Sequence, residues 1–337
     1  MNLPTVDTAG ERRIPRPWRL AQTVSVAAAV TVVGLLVLRP ELGLYLTWSV
    51  LIPVVPALLL FAPRVWRNLC PISVVHQLPV SLGRGGRRRL GRRAQWLAPA
   101  VAITGLFLIV PLRHVIFNES GMALAGFVLV VLAVGLLGGA LFAGKSGWCS
   151  TFCPVGPVEK LYGQQPALHP SHAHCETCVG CTDACFDRRG ASAVEDLLGA
   201  SGPDGLLRTP TGVFTGAFPG FVVGYFTADP TGGASSIYLH VALLSLASLA
   251  LFVLVHRISG TGLLATARAA AALAAAAYYW FTVPAVIGAT EAVWGLGPAP
   301  PILEFWGRAF FLALVAFWWL SARRRVRSAI IPAGTRP

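Results

Sequence analysis

Seven stretches of this chain are apolar over the length needed to cross a bilayer, and this limits the fold more than any other feature. They are Leu20–Leu38, Leu42–Ala62, Ala94–Leu112, Met122–Gly144, Ile237–Val255, Ala269–Ile287 and Phe305–Ala322. A helix needs about 20 apolar residues to span hydrocarbon, and a helix satisfies its own backbone hydrogen bonds there. Of the 337 residues only 12% are charged, about half the share of a soluble domain. The expected fold is therefore an all-α integral membrane helical bundle rather than a soluble domain with a large core. Leu20–Leu38 is longer than a signal-peptide core, and Leu38-Arg39-Pro40-Glu41 is no small-residue cleavage site. It reads as a signal-anchor.

Thr209–Ala228 is the ambiguous stretch. It is uncharged, but it holds Pro210, Pro219 and four glycines. Charge placement decides its reading. If it spans, there are about eight transmembrane helices and both termini are cytoplasmic. Arg39, Arg113 and Arg308 then face out, and the other 24 of 27 Lys and Arg residues face in. If it does not span, the split falls to 18 against 9. The positive-inside bias favours eight spans in the inner (cytoplasmic) membrane. The net charge of +13 is thus spent at helix ends; no basic face with interleaved aromatics points to nucleic acid. No Asp or Glu falls inside a proposed span, which argues against an ion-pumping role. No phosphate-binding Gly loop, serine triad or metalloprotease helix is present either.

Six of the seven cysteines lie within 37 residues. Cys175-x2-Cys178-x2-Cys181-x3-Cys185 has the spacing of a ferredoxin [4Fe–4S] loop. Zinc sites instead use two close pairs separated by a longer loop. Phe186 stands where ferredoxins usually have proline. In such loops the fourth cysteine commonly ligates a different cluster from the first three. Cys175, Cys178 and Cys181 then need a remote thiolate. Cys153 and Cys70, each followed by proline, are the candidates, and Cys153 is the nearer in sequence. Two all-cysteine cubes need eight thiolates and the chain has seven. It supports one [4Fe–4S] cluster; a second requires a non-cysteine ligand, a partner's ligand or an incomplete cube.

Cys149-x3-Cys153-Pro154 closes the fourth apolar stretch. Four apart on a helix, the two thiols share a face, which suits a metal, a redox pair or plain packing. Trp66-Arg67-Asn68-Leu69-Cys70-Pro71 echoes Cys149-Ser150-Thr151-Phe152-Cys153-Pro154, so the first four spans read as two copies of a hairpin plus a Cys-Pro turn entering the cytoplasm. The expected layout is a cytoplasmic tail over 1–19, a four-helix membrane half over 20–144 and a small cytoplasmic ferredoxin-like insertion over 145–208. A second membrane half over 209–322 and a basic cytoplasmic tail over 323–337 complete it. His169, His172 and His174 precede the cluster loop and read as solvated loop residues, the alternatives being hydrogen bonds that tune the cluster or supply of its missing ligand; His114 and His240 fall near the outer surface, where a quinol pocket is one reading.

Trp148-Cys149-x3-Cys153-Pro154-x-Gly156 followed by Cys175, Cys178, Cys181 and Cys185 resembles the NapH/NosR family of membrane polyferredoxins. The resemblance implies that electrons from the quinol pool, or another membrane donor, pass through the membrane subunit and its cluster to a partner redox protein. The chain departs from that family in having one ferredoxin loop rather than two, and in its helices from Thr209 on. The expected function is electron transfer, as a subunit of an oxidoreductase system rather than a stand-alone enzyme. Cys175, Cys178, Cys181 and Cys185 ligate the cluster, with Cys153, Cys149 and Cys70 as auxiliary ligands or a thiol relay. The alternatives are a redox-sensing or regulatory membrane protein, and an accessory subunit of a metal-uptake or maturation system.

Overall fold

The computed structural model describes residues 16–86, 88, 90–142, 147–164, 166–167 and 209–330. The expected cluster loop, Cys175 to Cys185, lies outside the described residues, as do His169, His172 and His174. The described residues are helical apart from turns and a single bridge between Arg88 and Phe142. Seven helical segments are long and apolar enough to cross a membrane: Arg16–Leu38, Pro40–Phe61, Leu97–Phe117, Gly121–Leu141, Pro230–Ser259, Leu263–Trp294 and Pro301–Ser321. Each falls on one of the seven stretches read from the sequence.

The helices are α1 (Arg16–Leu38), α2 (Pro40–Tyr45), α3 (Ile52–Phe61), α4 (Pro63–Leu69), α5 (Pro71–Ser81), α6 (Arg92–Ile109), α7 (Gly121–Leu141) and α8 (Gly156–Tyr162). After the undescribed segment come α9 (Pro210–Thr227), α10 (Gly233–Ser259), α11 (Leu263–Trp294) and α12 (Pro301–Ile330). A π-helical turn, Leu46–Leu51, joins α2 to α3 just before Pro53, the local widening expected where a proline removes a helical hydrogen bond.

The ambiguous stretch forms α9. Thr209 caps it, its hydroxyl accepting from the Gly212 N–H at 3.1 Å. α9 is not among the seven apolar segments because glycine, proline and threonine dilute it, yet it is the most enclosed of the long helices, buried at most positions from Gly212 to Tyr225. Gly216, Gly220 and Gly224 form one stripe against α10. A Cβ on Gly220 would meet the Leu244 carbonyl oxygen at 2.0 Å. Small residues at four-residue spacing allow such backbone approach. The opposite side carries Phe214, Phe218 and Phe221, which pack with Leu59, Tyr162, Tyr279 and Trp318 as the main core. A helix sheathed by protein does not need lipophilic side chains. α9 runs beside α6 in the same direction: Thr211 lies by Pro99 and Ala102, and Tyr225 lies by His114. The large exposed side chains, Leu129, Leu246 and Phe310 among them, cover the outside of the bundle as a lipid-facing surface requires.

Candidate iron–sulfur site

Each Cys-Pro motif is a break between two helices. Cys70 ends α4, donating its N–H to the Trp66 carbonyl at 2.7 Å, and accepts from Val74 at 3.0 Å as α5 begins. Its extended backbone, φ −55° and ψ 118°, is what a residue before proline adopts, and Pro71 at the first helical position has no N–H to lose. The second break is a tight turn around one carbonyl. The Trp148 oxygen accepts the N–H groups of Thr151, Phe152 and Cys153 at 2.9–3.1 Å, and Gly156 then donates to Cys153 at 2.9 Å to open α8. Cys149 and Cys153 therefore share a turn and not a helix face. Pro154, at the helix-breaking position, replaces the helix that a four-residue spacing suggests.

Both breaks pack among the helices. Pro154 packs against Gly105 of α6, the Cγ 3.4 Å from where a Gly105 Cβ would stand. Gly105 is eight residues into the apolar segment that starts at Leu97, or about 12 Å along it. Tyr162 of α8 is buried and its ring meets Phe218, halfway along α9, at 6.0 Å. On the other side α5 lies directly on α7: a Cβ on Gly139 would meet the His76 carbonyl at 1.7 Å. The segments after each proline stay apolar, so they pack inward instead of leaving for water. Irregular backbone at such depth is tolerated where protein covers it or where it lines a cavity.

A cavity of about 540 Å³ lies beneath the two breaks, and Cys70, Cys149 and Cys153 all line it. Cys70 comes from one break and Cys149 and Cys153 from the other, and all three line the same cavity. Arg67 and Glu159 hold the motifs together: the Arg67 Nε donates to the Glu159 Oε1, tying α4 to α8, and both side chains are almost fully buried. Ser73 adds a hydroxyl bond to the Arg67 carbonyl at 2.9 Å, and Ser25 of α1 bonds the Leu69 carbonyl. The Cys-x3-Cys turn belongs to none of the spanning segments. Burial pushes its Cys153 thiol well above the usual thiol range, and the neighbouring Cys149 and Cys70 push it further. Metal binding there must displace that proton. Among the described residues no three His, Cys, Asp or Glu side chains stand close enough to hold one metal ion. Cluster ligands bind separate irons of the cube, and three soft thiols on an apolar cavity are a donor set that fits iron–sulfur.

Residues 125–168 match the family model described as a 4Fe-4S binding domain. The match takes in Cys149 and Cys153 and stops before Cys175. The chain is 29% identical over 129 residues to the methylamine utilization ferredoxin-type protein MauN of Methylorubrum extorquens, covering 35% of this chain and 44% of that protein. To the MauN of Paracoccus denitrificans it is 32% identical over 140 residues, 38% of this chain and 48% of that protein. The chain thus spans about half the length of the curated relatives it matches. No solved structure matches it. The chain therefore carries a 4Fe–4S binding domain within a multi-pass helical membrane protein, and it is similar to ferredoxin-type proteins.

Glu159 is the residue of this site that sequence reading passes over. A single acid in an apolar run after Cys153 carries no motif, and only the fold shows that it answers Arg67. His114 and His240 each make a hydrogen bond through Nε2. His114 Nε2 pairs with the Tyr225 carbonyl at 2.9 Å, and His240 Nε2 pairs with the Thr227 hydroxyl at 2.9 Å.

Proposed function

We propose that this chain is a multi-pass electron-transfer subunit of the cytoplasmic membrane, taking electrons from quinol and passing them to a partner redox protein. Both termini are cytoplasmic in this reading, and α9 is the eighth span. Cys175, Cys178 and Cys181 hold the cluster, with Cys153 as the remote fourth ligand and Cys185, Cys149 and Cys70 beside it. The observation that carries the proposal is the meeting of Cys70, Cys149 and Cys153 on one internal cavity, within and beside the stretch that matches the 4Fe–4S domain. A sensor needs a cluster at a surface it can switch; a site sunk among the helices instead suits a donor dissolved in the bilayer. The cluster supplies one-electron redox chemistry at this point. The protein's part is to hold the thiols, exclude water through the Phe218 and Tyr162 layer, and place the Arg67 charge beside them. Those three factors tune a cluster's potential.

The test is anaerobic purification in lipid, iron and sulfide analysis, and EPR before and after adding quinol. Rapid, reversible appearance of a reduced-cluster signal is expected. A cluster that dithionite reduces but quinol leaves oxidised overturns the proposed donor.

A further inference from the structure

The cavity does not end at the thiols. It continues between α3, α6, α7 and α9 to a polar group at its far end made by Arg113, Trp48, Tyr225 and Tyr278. Along the Leu97–Phe117 segment that end is eight residues from Gly105, which touches Pro154, or about 12 Å. The walls between the two ends are apolar and partly aromatic: Leu106, Val110, Phe117, Phe127, Phe221 and Phe226. The volume lies within the range of small-molecule sites, about 300–1,000 Å³.

The far end is built around a cation. The Arg113 guanidinium lies over the Trp48 ring, 4.4 Å from its centroid, and its Nε donates to the Asn118 Oδ1 at 2.8 Å. The Trp48 indole N–H is itself fixed on the Phe117 carbonyl at 3.2 Å. Tyr225 and Tyr278 line the same end of the cavity beside Arg113. No carboxylate pairs with Arg113 among the described residues. A guanidinium has five N–H donors, so this end offers a fixed positive charge and spare donors to an electron-rich oxygen. Phe117 and Phe221 line the apolar space behind it.

We infer that this cavity is a binding site for an isoprenoid quinone, with a ring oxygen at Arg113 and Tyr225 and the ring and first tail units against the aromatic walls. The inference rests on the electron-transfer reading for the choice of quinone over other amphipathic molecules, because the other end of the same cavity carries the redox thiols. It also moves the head-group away from His114 and His240, whose Nε2 atoms pair with the Tyr225 carbonyl and the Thr227 hydroxyl. His114 becomes a positioning residue, holding the α9 end that carries Tyr225.

Full-length, cluster-loaded protein in lipid nanodiscs is titrated with radiolabelled decylubiquinone. Saturable binding is expected, weakened about tenfold or more in Arg113→Leu and in Tyr225→Phe. Val110→Trp, which fills the middle of the cavity, should abolish it, with iron per protein and the dithionite-reduced EPR signal unchanged as the check on folding. Unaltered affinity in all three variants overturns the site. Equal displacement of the label by decanoic acid overturns it too, since the cavity is then an acyl-chain site. If the quinone binds as expected but quinol leaves the cluster oxidised, the site stands and the donor proposal falls. If quinol reduces the cluster of Val110→Trp at the wild-type rate, the donor proposal stands and the site falls.

Discussion

Cys153, Cys149 and Cys70 line one cavity together with the Arg67–Glu159 pair, and their places in the chain rank the consequences of losing each thiol. Cys178→Ser should abolish the cubane EPR signal, because the loop then lacks one of its own ligands. Cys153→Ser should reduce iron per protein and EPR intensity far more than Cys70→Ser, with Cys149→Ser in between. The reason is the short chain from Cys153 to the loop, whose closure costs little entropy. Equal losses in Cys70→Ser and Cys153→Ser would instead mean that both breaks ligate iron. The ion pair is a second test. Removing one partner of a buried pair costs about 3–5 kcal/mol, whereas replacing both by apolar residues is often neutral. Arg67→Leu and Glu159→Gln should each lower the thermal midpoint clearly. The double variant Arg67→Met with Glu159→Leu should recover the midpoint. If it also recovers full iron content, the pair only stabilises the fold; a persistent loss of iron shows that it sets the spacing of the thiols.

α9 meets α10 along the glycine stripe, and Gly220 is its tightest point, with the Leu244 carbonyl and the Ser248 Cβ in the place a side chain would need. Backbone cannot yield as a side-chain tip can, so Gly220→Leu should separate the helices and cost more than the roughly 1–3 kcal/mol of ordinary overpacking. Gly288 of α11 has open space around it, and Gly288→Leu is the matched control, expected to leave folded yield and detergent melting unchanged. The sequence reading of Thr209–Ala228 located this element by absence of charge, and the spans themselves were legible because lipid forces a long apolar run on every exposed helix. What stayed hidden was the role of the four glycines and of the chain after Pro71 and Pro154. Apolar content reports that a segment avoids water; it does not say whether lipid or other helices cover it. The two Cys-Pro breaks were found as a repeated pattern, while their depth depended on α5 meeting Gly139 and α8 meeting Phe218. Contacts between residues that far apart in sequence leave no local signature, and neither does the Arg67–Glu159 pair.

The distribution of charge over the whole bundle ties topology to the site. The start of α9 lies by Cys149 and Ser150, and its end lies by His114. α10 returns along the stripe, so that His256 and Arg257 close its last turn on the side of the thiols. The Tyr279 hydroxyl bonds the Pro53 carbonyl at 3.0 Å and the Tyr45 hydroxyl bonds Thr290 at 3.1 Å, which lays α11 along α2 and α3 in the opposite sense. α12 packs on α11 through Gly307 against Val283. Followed in this order, Arg39, Arg113 and Arg308 collect at one end, and the basic run Arg323-Arg324-Arg325 continues α12 toward the other. A chain inserted by the positive-inside bias puts the second end in the cytoplasm. A reporter fused after Arg327 that works only when exported should therefore be inactive, and the same reporter placed in the Gly295–Pro300 connection should be active. Activity of the C-terminal reporter alone would mean that α9 fails to cross, and the helices from α10 on would be inverted. The thiols give an independent reading of depth. A membrane-impermeant maleimide added from either side should leave Cys70, Cys149 and Cys153 unlabelled in the folded protein, while a small permeant maleimide should reach them through the cavity once the iron is removed. Labelling of all three by the impermeant reagent from the cytoplasmic side, with the cluster intact, would put both breaks at the surface and remove the basis for an internal site.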